Sequence, residues 1–129
     1  MFTHTSIRTS NLERSIAFYK KCFDLNVLNR ISIKETDSQI VFLQDSAGKG
    51  CRLELTFYRK QTEFIQAPYE TRLFDHLGFK VTDINATINA MRKEGVTITD
   101  EPYTLGEDGP TIAFVEDPDG TLIELVQET

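Results

Sequence analysis

Tryptophan is missing from this sequence altogether, and only two cysteines and two histidines occur among its 129 residues. The cysteines, Cys22 and Cys51, are too few for a disulfide framework and are not spaced as a metal-binding pair. They read as small buried or half-buried residues of a protein kept in a reducing compartment. Clustered positive charge is also lacking: 14 Lys and Arg stand against 20 Asp and Glu, for a formal charge of -6, and the basic residues are scattered. Without the basic stripe that grips a phosphate backbone, nucleic acid is not expected as a partner. No apolar run approaches the roughly 20 residues that span a bilayer, and Met1-Phe2-Thr3-His4 lacks the anatomy of a signal peptide. The expected protein is soluble and cytoplasmic, with no membrane partner.

What the chain does have is enough apolar residues, 40% of the total, for one good core. At this length a single domain spanning 1–129 is expected. Its organisation is a repeat. Residues 2–9 read as a strand, and Ser10-Asn11-Leu12-Glu13 then supplies a capping box ahead of Leu12, Ile16, Tyr19 and Phe23 at helical spacing. Three β-rich runs follow at 27–33, 39–44 and 52–58, separated by polar or glycine-containing turns such as Asp45-Ser46-Ala47-Gly48. The order is βαβββ over residues 1–58. After a polar connector at 59–71 it recurs over 72–129: a strand at 74–81, then a helix capped by Asp83, with Ile84, Ile88 and Met91 on one face and Gly95 at its end. Strands at 96–99, 111–116 and 121–126 complete the copy, the last two joined by the turn Asp117-Pro118-Asp119-Gly120. The fold class is therefore α+β, with two βαβββ repeats.

The polar exceptions fall at matching places in the two repeats. His4 lies near the start of the first strand and Glu54 within Leu53-Glu54-Leu55 of the last; His76 and Glu124, within Ile123-Glu124-Leu125, do the same in the second copy. Strand parity puts His4, Ser6 and Arg8 on one face, and Arg52, Glu54, Thr56 and Tyr58 on one face of the fourth strand. The opposite faces carry apolar residues: Leu53, Leu55 and Phe57 in one half, and Leu77, Phe79 and Val81 in the other. Any one of these polar residues is what a half-exposed strand yields by alternation. Together, two imidazoles and two carboxylates make a nitrogen and oxygen ligand set for a divalent ion.

The sequence resembles the glyoxalase I (lactoylglutathione lyase) family of the vicinal oxygen chelate superfamily, in its short single-domain form, over nearly its whole length. The resemblance rests on His4-Thr5-Ser6-Ile7-Arg8 with Leu12-Glu13-Arg14-Ser15-Ile16-Ala17-Phe18-Tyr19, and on Leu53-Glu54-Leu55-Thr56 and His76-Leu77-Gly78-Phe79. Its longest match runs from Ala113-Phe114-Val115-Glu116-Asp117-Pro118-Asp119-Gly120 into Ile123-Glu124-Leu125.

The resemblance implies a homodimer whose metal sites are shared, with His4 and Glu54 from one chain and His76 and Glu124 from the other. It implies the hemithioacetal of methylglyoxal and a thiol such as glutathione as substrate, isomerised to S-D-lactoylglutathione, with Glu124 as the base and Glu54 its partner. Nickel is the expected metal of the short branch, with cobalt, zinc and manganese as alternatives. Arg8, Tyr58 and Arg72 are the implied substrate-binding positions. Tyr58 stands where the family usually has asparagine, and the acidic loop of residues 104–110 lacks the lysine often found there, so the thiol is less well specified than the metal. Alternatives within the superfamily are an acyl-thioester epimerase, a thiol transferase and a dioxygenase; outside enzymology, the alternative is a metal-free small-molecule-binding module.

Overall fold

The computed structural model describes residues 1–61, 63–65 and 67–129. Thr62 and Gln66, both inside the connector read at 59–71, lie outside the described residues. The chain divides into two compact units, Met1–Ile65 and Gln66–Thr129.

The first unit runs β1 (His4–Arg8), α1 (Leu12–Phe23), β2 (Leu25–Ile33), β3 (Ser38–Asp45) and β4 (Arg52–Tyr58), the sheet order being β1-β4-β3-β2. Strand β1 lies parallel to β4, and β4 antiparallel to β3. The second unit repeats this with β5 (Leu77–Lys80), α2 (Ile84–Lys93), β6 (Thr97–Thr104), β7 (Thr111–Glu116) and β8 (Leu122–Gln127), in the order β5-β8-β7-β6. None of the described helices is long and apolar enough to cross a membrane.

Alternation along the central strands sorts the two faces of each sheet. Val41, Leu43, Leu53 and Leu55 are buried with Ile7, Leu12 and Tyr19, while Phe42 and Glu54 between them turn to the other face. In the second unit Ala113, Val115, Ile123 and Leu125 are buried with Ile84, Ile88 and Met91. Phe57, Leu77, Phe79 and Val81 are half-buried, so the edges of both cores are thinner than strict alternation suggests.

Local chemistry sets the helix starts. The cap of α1 is Asn11, not Ser10: Asn11 Oδ1 accepts from the Arg14 backbone N–H at 3.0 Å, whereas Ser10 Oγ accepts from the Arg14 guanidinium. Below it, the hydroxyls of Thr9 and Ser15 meet at 2.6 Å in the interior and tie the end of β1 to α1. Asp83 caps α2 as expected, and Gln127 Oε1 accepts from Ile84 N–H at 2.7 Å, tying α2 to β8. Gly95, with φ 78°, follows that helix in the left-handed conformation that glycine adopts without steric cost.

Other differences from the sequence reading are at strand ends. Strand β6 runs from Thr97 to Thr104, well past the expected stop at residue 99, because irregularities between Ile98 and Tyr103 carry it around Pro102 while pairing with β7 resumes at Tyr103 and Thr104. Strand β5 is only four residues long, and His76 immediately precedes it, whereas His4 is the first residue of β1. Cys22 is half-buried, but Cys51 is exposed, in the turn ahead of β4.

Candidate metal centre

Register explains why each histidine meets a glutamate. In the first unit Glu54 sits opposite Ser6 on β1 and opposite Phe42 on β3. In the second, Glu124 sits opposite Gly78 on β5 and opposite Phe114 on β7. Each histidine lies two residues before the β1 or β5 residue that faces the carboxylate, so its side chain emerges on the same face.

The resulting pairs are nearly superimposable in their distances. His4 Nε2 lies 3.1 Å from Glu54 Oε2, and His76 Nε2 lies 3.2 Å from Glu124 Oε2. Each imidazole meets a phenylalanine edge-on: Phe42 at 5.3 Å from His4, and Phe114 at 5.4 Å from His76, with interplanar angles of 86° and 85°. The other ring nitrogen of each is also engaged. Thr3 Oγ1 is 2.8 Å from His4 Nδ1, and Asp75 Oδ1 is 2.5 Å from His76 Nδ1.

That last contact constrains the chemistry of the second pair. A neutral His76 donating from Nδ1 to Asp75 presents a lone pair at Nε2, directed at a carboxylate that has only lone pairs to offer. A proton or a metal cation between Nε2 and Oε2 resolves the conflict. Two donors at right angles around a divalent ion, each about 2.1 Å from it, stand about 3 Å apart, the spacing at which both pairs are held. The residues therefore fit a divalent metal. Each unit brings one imidazole and one carboxylate together, and among the described residues no group of three or more His, Cys, Asp and Glu converges.

The glutamates are not held alike. Glu54 Oε1 accepts from Thr56 Oγ1 at 2.8 Å and from Ser6 Oγ at 3.1 Å, and the two hydroxyls are 2.9 Å apart. The sequence placed Ser6 and Thr56 on the ligand face but not as donors to the carboxylate; their shared parity with His4 and Glu54 was the available signal. Arg8 is exposed, its guanidinium stacked 4.5 Å over the Tyr58 ring and hydrogen-bonded to Gln61 Oε1. Arg72 is half-buried, 5.1 Å over the Tyr69 ring, and its Nε is buried with no hydrogen-bond partner among the described residues.

Comparison with known proteins identifies the architecture. Residues 1–125 match the model of the Glyoxalase/Bleomycin resistance protein/Dioxygenase superfamily. The chain belongs to that superfamily. Within the glyoxalase group, it is 31% identical to the lactoylglutathione lyase of Haemophilus influenzae, over 96% of this chain and 90% of that one. The trypanothione-dependent glyoxalase I of Leishmania major superposes with a TM-score of 0.82 at 32% identity, covering 99% of this chain and 86% of that one. Glyoxalase I of Zea mays superposes with a TM-score of 0.84 at 25% identity, and this chain spans 44% of its length. The two βαβββ units are thus the glyoxalase fold, and the fold class expected from the repeat is the one observed. Membership of the superfamily also implies a divalent metal, in keeping with the donor set.

Proposed function

We propose that this protein is a glyoxalase I: it isomerises the hemithioacetal of methylglyoxal and glutathione to S-D-lactoylglutathione and so removes methylglyoxal. The observation that carries the reading is the register-matched pairing of His4 with Glu54 and of His76 with Glu124 at 3.1 and 3.2 Å. Relatives named lactoylglutathione lyase, matched over nearly the full chain, support it. The ligand set would be these four residues, and nickel is the proposed metal, with cobalt, zinc and manganese as the alternatives to test.

When bound, the ion supplies Lewis-acid stabilisation of the negative charge that develops on substrate oxygen, worth several kcal/mol. The protein supplies the proton transfer. In the proposed step the carboxylate of Glu124 takes the proton from the carbon that bears sulfur and hydroxyl, giving an enediolate, and returns it to the neighbouring carbonyl carbon. The hydroxyl proton of the first carbon passes to the oxygen of the second as the first oxygen becomes the thioester carbonyl and the second the lactoyl hydroxyl, so the sequence balances without oxidant or reductant. A positioned base of this kind contributes roughly 10²–10⁴-fold. Glu54 is the second carboxylate at the reacting carbons. Leu122 and Val126, on the Glu124 face of β8 and half-buried, would keep water from the enediolate.

A homodimer with each metal site shared between chains follows from the same reading, His4 and Glu54 coming from one chain and His76 and Glu124 from its partner. The reading combines the one imidazole and one carboxylate that each unit brings together. Arg8, Tyr58 and Arg72 are proposed to meet the thiol. A chain with two cysteines, Cys22 and Cys51, too few for a disulfide framework, suits a cytoplasmic location.

The test is to strip the protein with a chelator, restore nickel, cobalt, zinc or manganese singly, and follow thioester formation from methylglyoxal with glutathione or trypanothione. Turnover only after metal return, highest with nickel, is expected. A metal-loaded protein that leaves both hemithioacetals untouched yet epimerises an acyl thioester would overturn the assignment.

A further inference from the structure

The two halves of the site differ at the atom next to the ligand oxygen, and the difference is chemical. Glu54 directs Oε2 toward His4 and commits Oε1 to the hydroxyls of Ser6 and Thr56. The residues in the same register around Glu124 are Gly78, opposite it on β5, and Val126, two residues along β8. Neither has a side-chain donor. Among the described residues Glu124 keeps only its contact with His76.

We propose that Ser6 and Thr56 are positioning residues that hold Glu54 as a fixed, one-oxygen ligand, a constraint that Gly78 and Val126 do not place on Glu124. This rests on the glyoxalase I reading above. Thr56 is the principal donor, being buried and the closer of the two at 2.8 Å. Ser6, exposed and 2.9 Å from Thr56, has one hydroxyl proton to direct either to Glu54 or to Thr56, so it assists by donating directly or through its neighbour. Carboxylates that ligate metals are themselves hydrogen-bonded, and loss of such partners typically lowers metal affinity or activity roughly 10–100-fold.

Nickel affinity by calorimetry, the visible spectrum of the cobalt-loaded protein and steady-state kinetics, measured on Ser6→Ala, Thr56→Val and Thr56→Ser, test the assignment. Thr56→Val is expected to weaken nickel binding by roughly 10–100-fold and to alter the cobalt spectrum, Ser6→Ala to do so by less, and Thr56→Ser to restore the parent values. The converse variant is Gly78→Ser. A Cβ there would lie 3.9 Å from Glu124 Oε2, ordinary contact, so a hydroxymethyl group fits and can donate to the carboxylate. It is expected to change nickel affinity and the cobalt spectrum, because the donor it adds reaches Oε2, the oxygen that faces His76. If the parent protein binds nickel while Ser6→Ala and Thr56→Val match it in affinity and cobalt spectrum, the positioning role is wrong and the glyoxalase reading stands. A parent that binds no divalent metal removes both.

Discussion

His76 Nδ1 and Asp75 Oδ1 are 2.5 Å apart, a charge-assisted contact between sequence neighbours that fixes which imidazole nitrogen is left for a ligand. Among the described residues His4 has the Thr3 hydroxyl, at 2.8 Å, in the same role. Asp75→Ala should therefore weaken divalent-metal binding more than Thr3→Val, by roughly 10–100-fold against a few-fold. Asp75→Asn, which keeps an acceptor oxygen without the charge, should fall between. Nickel titration of the three variants checks the ranking; equal affinities would show that Asp75 does not orient the ring.

Phe114 and Phe42 act on the same two imidazoles from the side. Each phenylalanine stands edge-on to its histidine at a little over 5 Å, a geometry worth about 0.5–1.5 kcal/mol beyond its buried area. Removing that wall lets the ring rotate away from its glutamate. Phe114→Ala is expected to lower metal affinity by up to about tenfold, with Phe114→Tyr close to the parent. The same pair of substitutions at Phe42 should give the same ratio, since both rings meet their phenylalanine at nearly the same distance and angle.

Much of this was legible from spacing. The period-2 alternation of Leu53-Glu54-Leu55 and Ile123-Glu124-Leu125 put both carboxylates opposite the core, and both flanking pairs are indeed buried. The scarcity of histidine made its recurrence at one repeat position informative. Less legible were features set by partners distant in sequence. That Thr56 shares a face with Glu54 follows from alternation, but Ser6 joins them only because β1 lies parallel to β4 in a register that pairs Ser6 with Glu54. The run of β6 through Pro102 depends on pairing with β7, which overrides a local signal for a break. The cap moved from Ser10 to Asn11 because either residue type caps well and the geometry of the preceding strand decides between them.

Arg8 lies at the end of β1 on the ligand face, stacked on Tyr58 and exposed. An exposed guanidinium that pairs with a substrate carboxylate contributes at most about 1 kcal/mol, or about fivefold. Arg8→Ala is accordingly expected to raise KM for the glutathione hemithioacetal two- to fivefold, with kcat and nickel affinity unchanged, and the difference from the parent should shrink as salt is raised. Tyr58→Phe, which keeps the stacking face, should leave KM near the parent value. A change confined to kcat would place Arg8 elsewhere in the cycle.

A shared site makes a prediction about mixtures. A chain carrying His4→Ala and Glu54→Ala, and one carrying His76→Ala and Glu124→Ala, should each be inactive alone. Co-refolded, they form a hybrid dimer with one intact set of four donors and one empty set. If subunits mix at random, half the dimers are hybrids with one of two sites intact, so about a quarter of parental activity should return. Sites confined to single chains would return none, because neither chain retains all four donors.

Acid sensitivity should trace in part to the turn between β3 and β4. The Gly50 backbone N–H, 2.7 Å from Asp45 Oδ2, is the largest of the influences that hold the Asp45 carboxyl below its ordinary range, with the Lys49 N–H assisting. A carboxyl depressed in the folded chain contributes stability that is fully present above its unfolded value, about pH 4, and is lost as pH falls through the lower folded value. Asp45→Asn removes that proton linkage. The parent should lose more of its thermal midpoint than Asp45→Asn on going from pH 5 to pH 2.5, and the two curves should run parallel above pH 5. Gly50→Ala provides the geometric counterpart, since a Cβ at that position would sit 2.3 Å from Asp45 Oδ2 and must displace the carboxylate. It should lower the midpoint at pH 7 and, having already broken the contact, reduce the excess loss in acid.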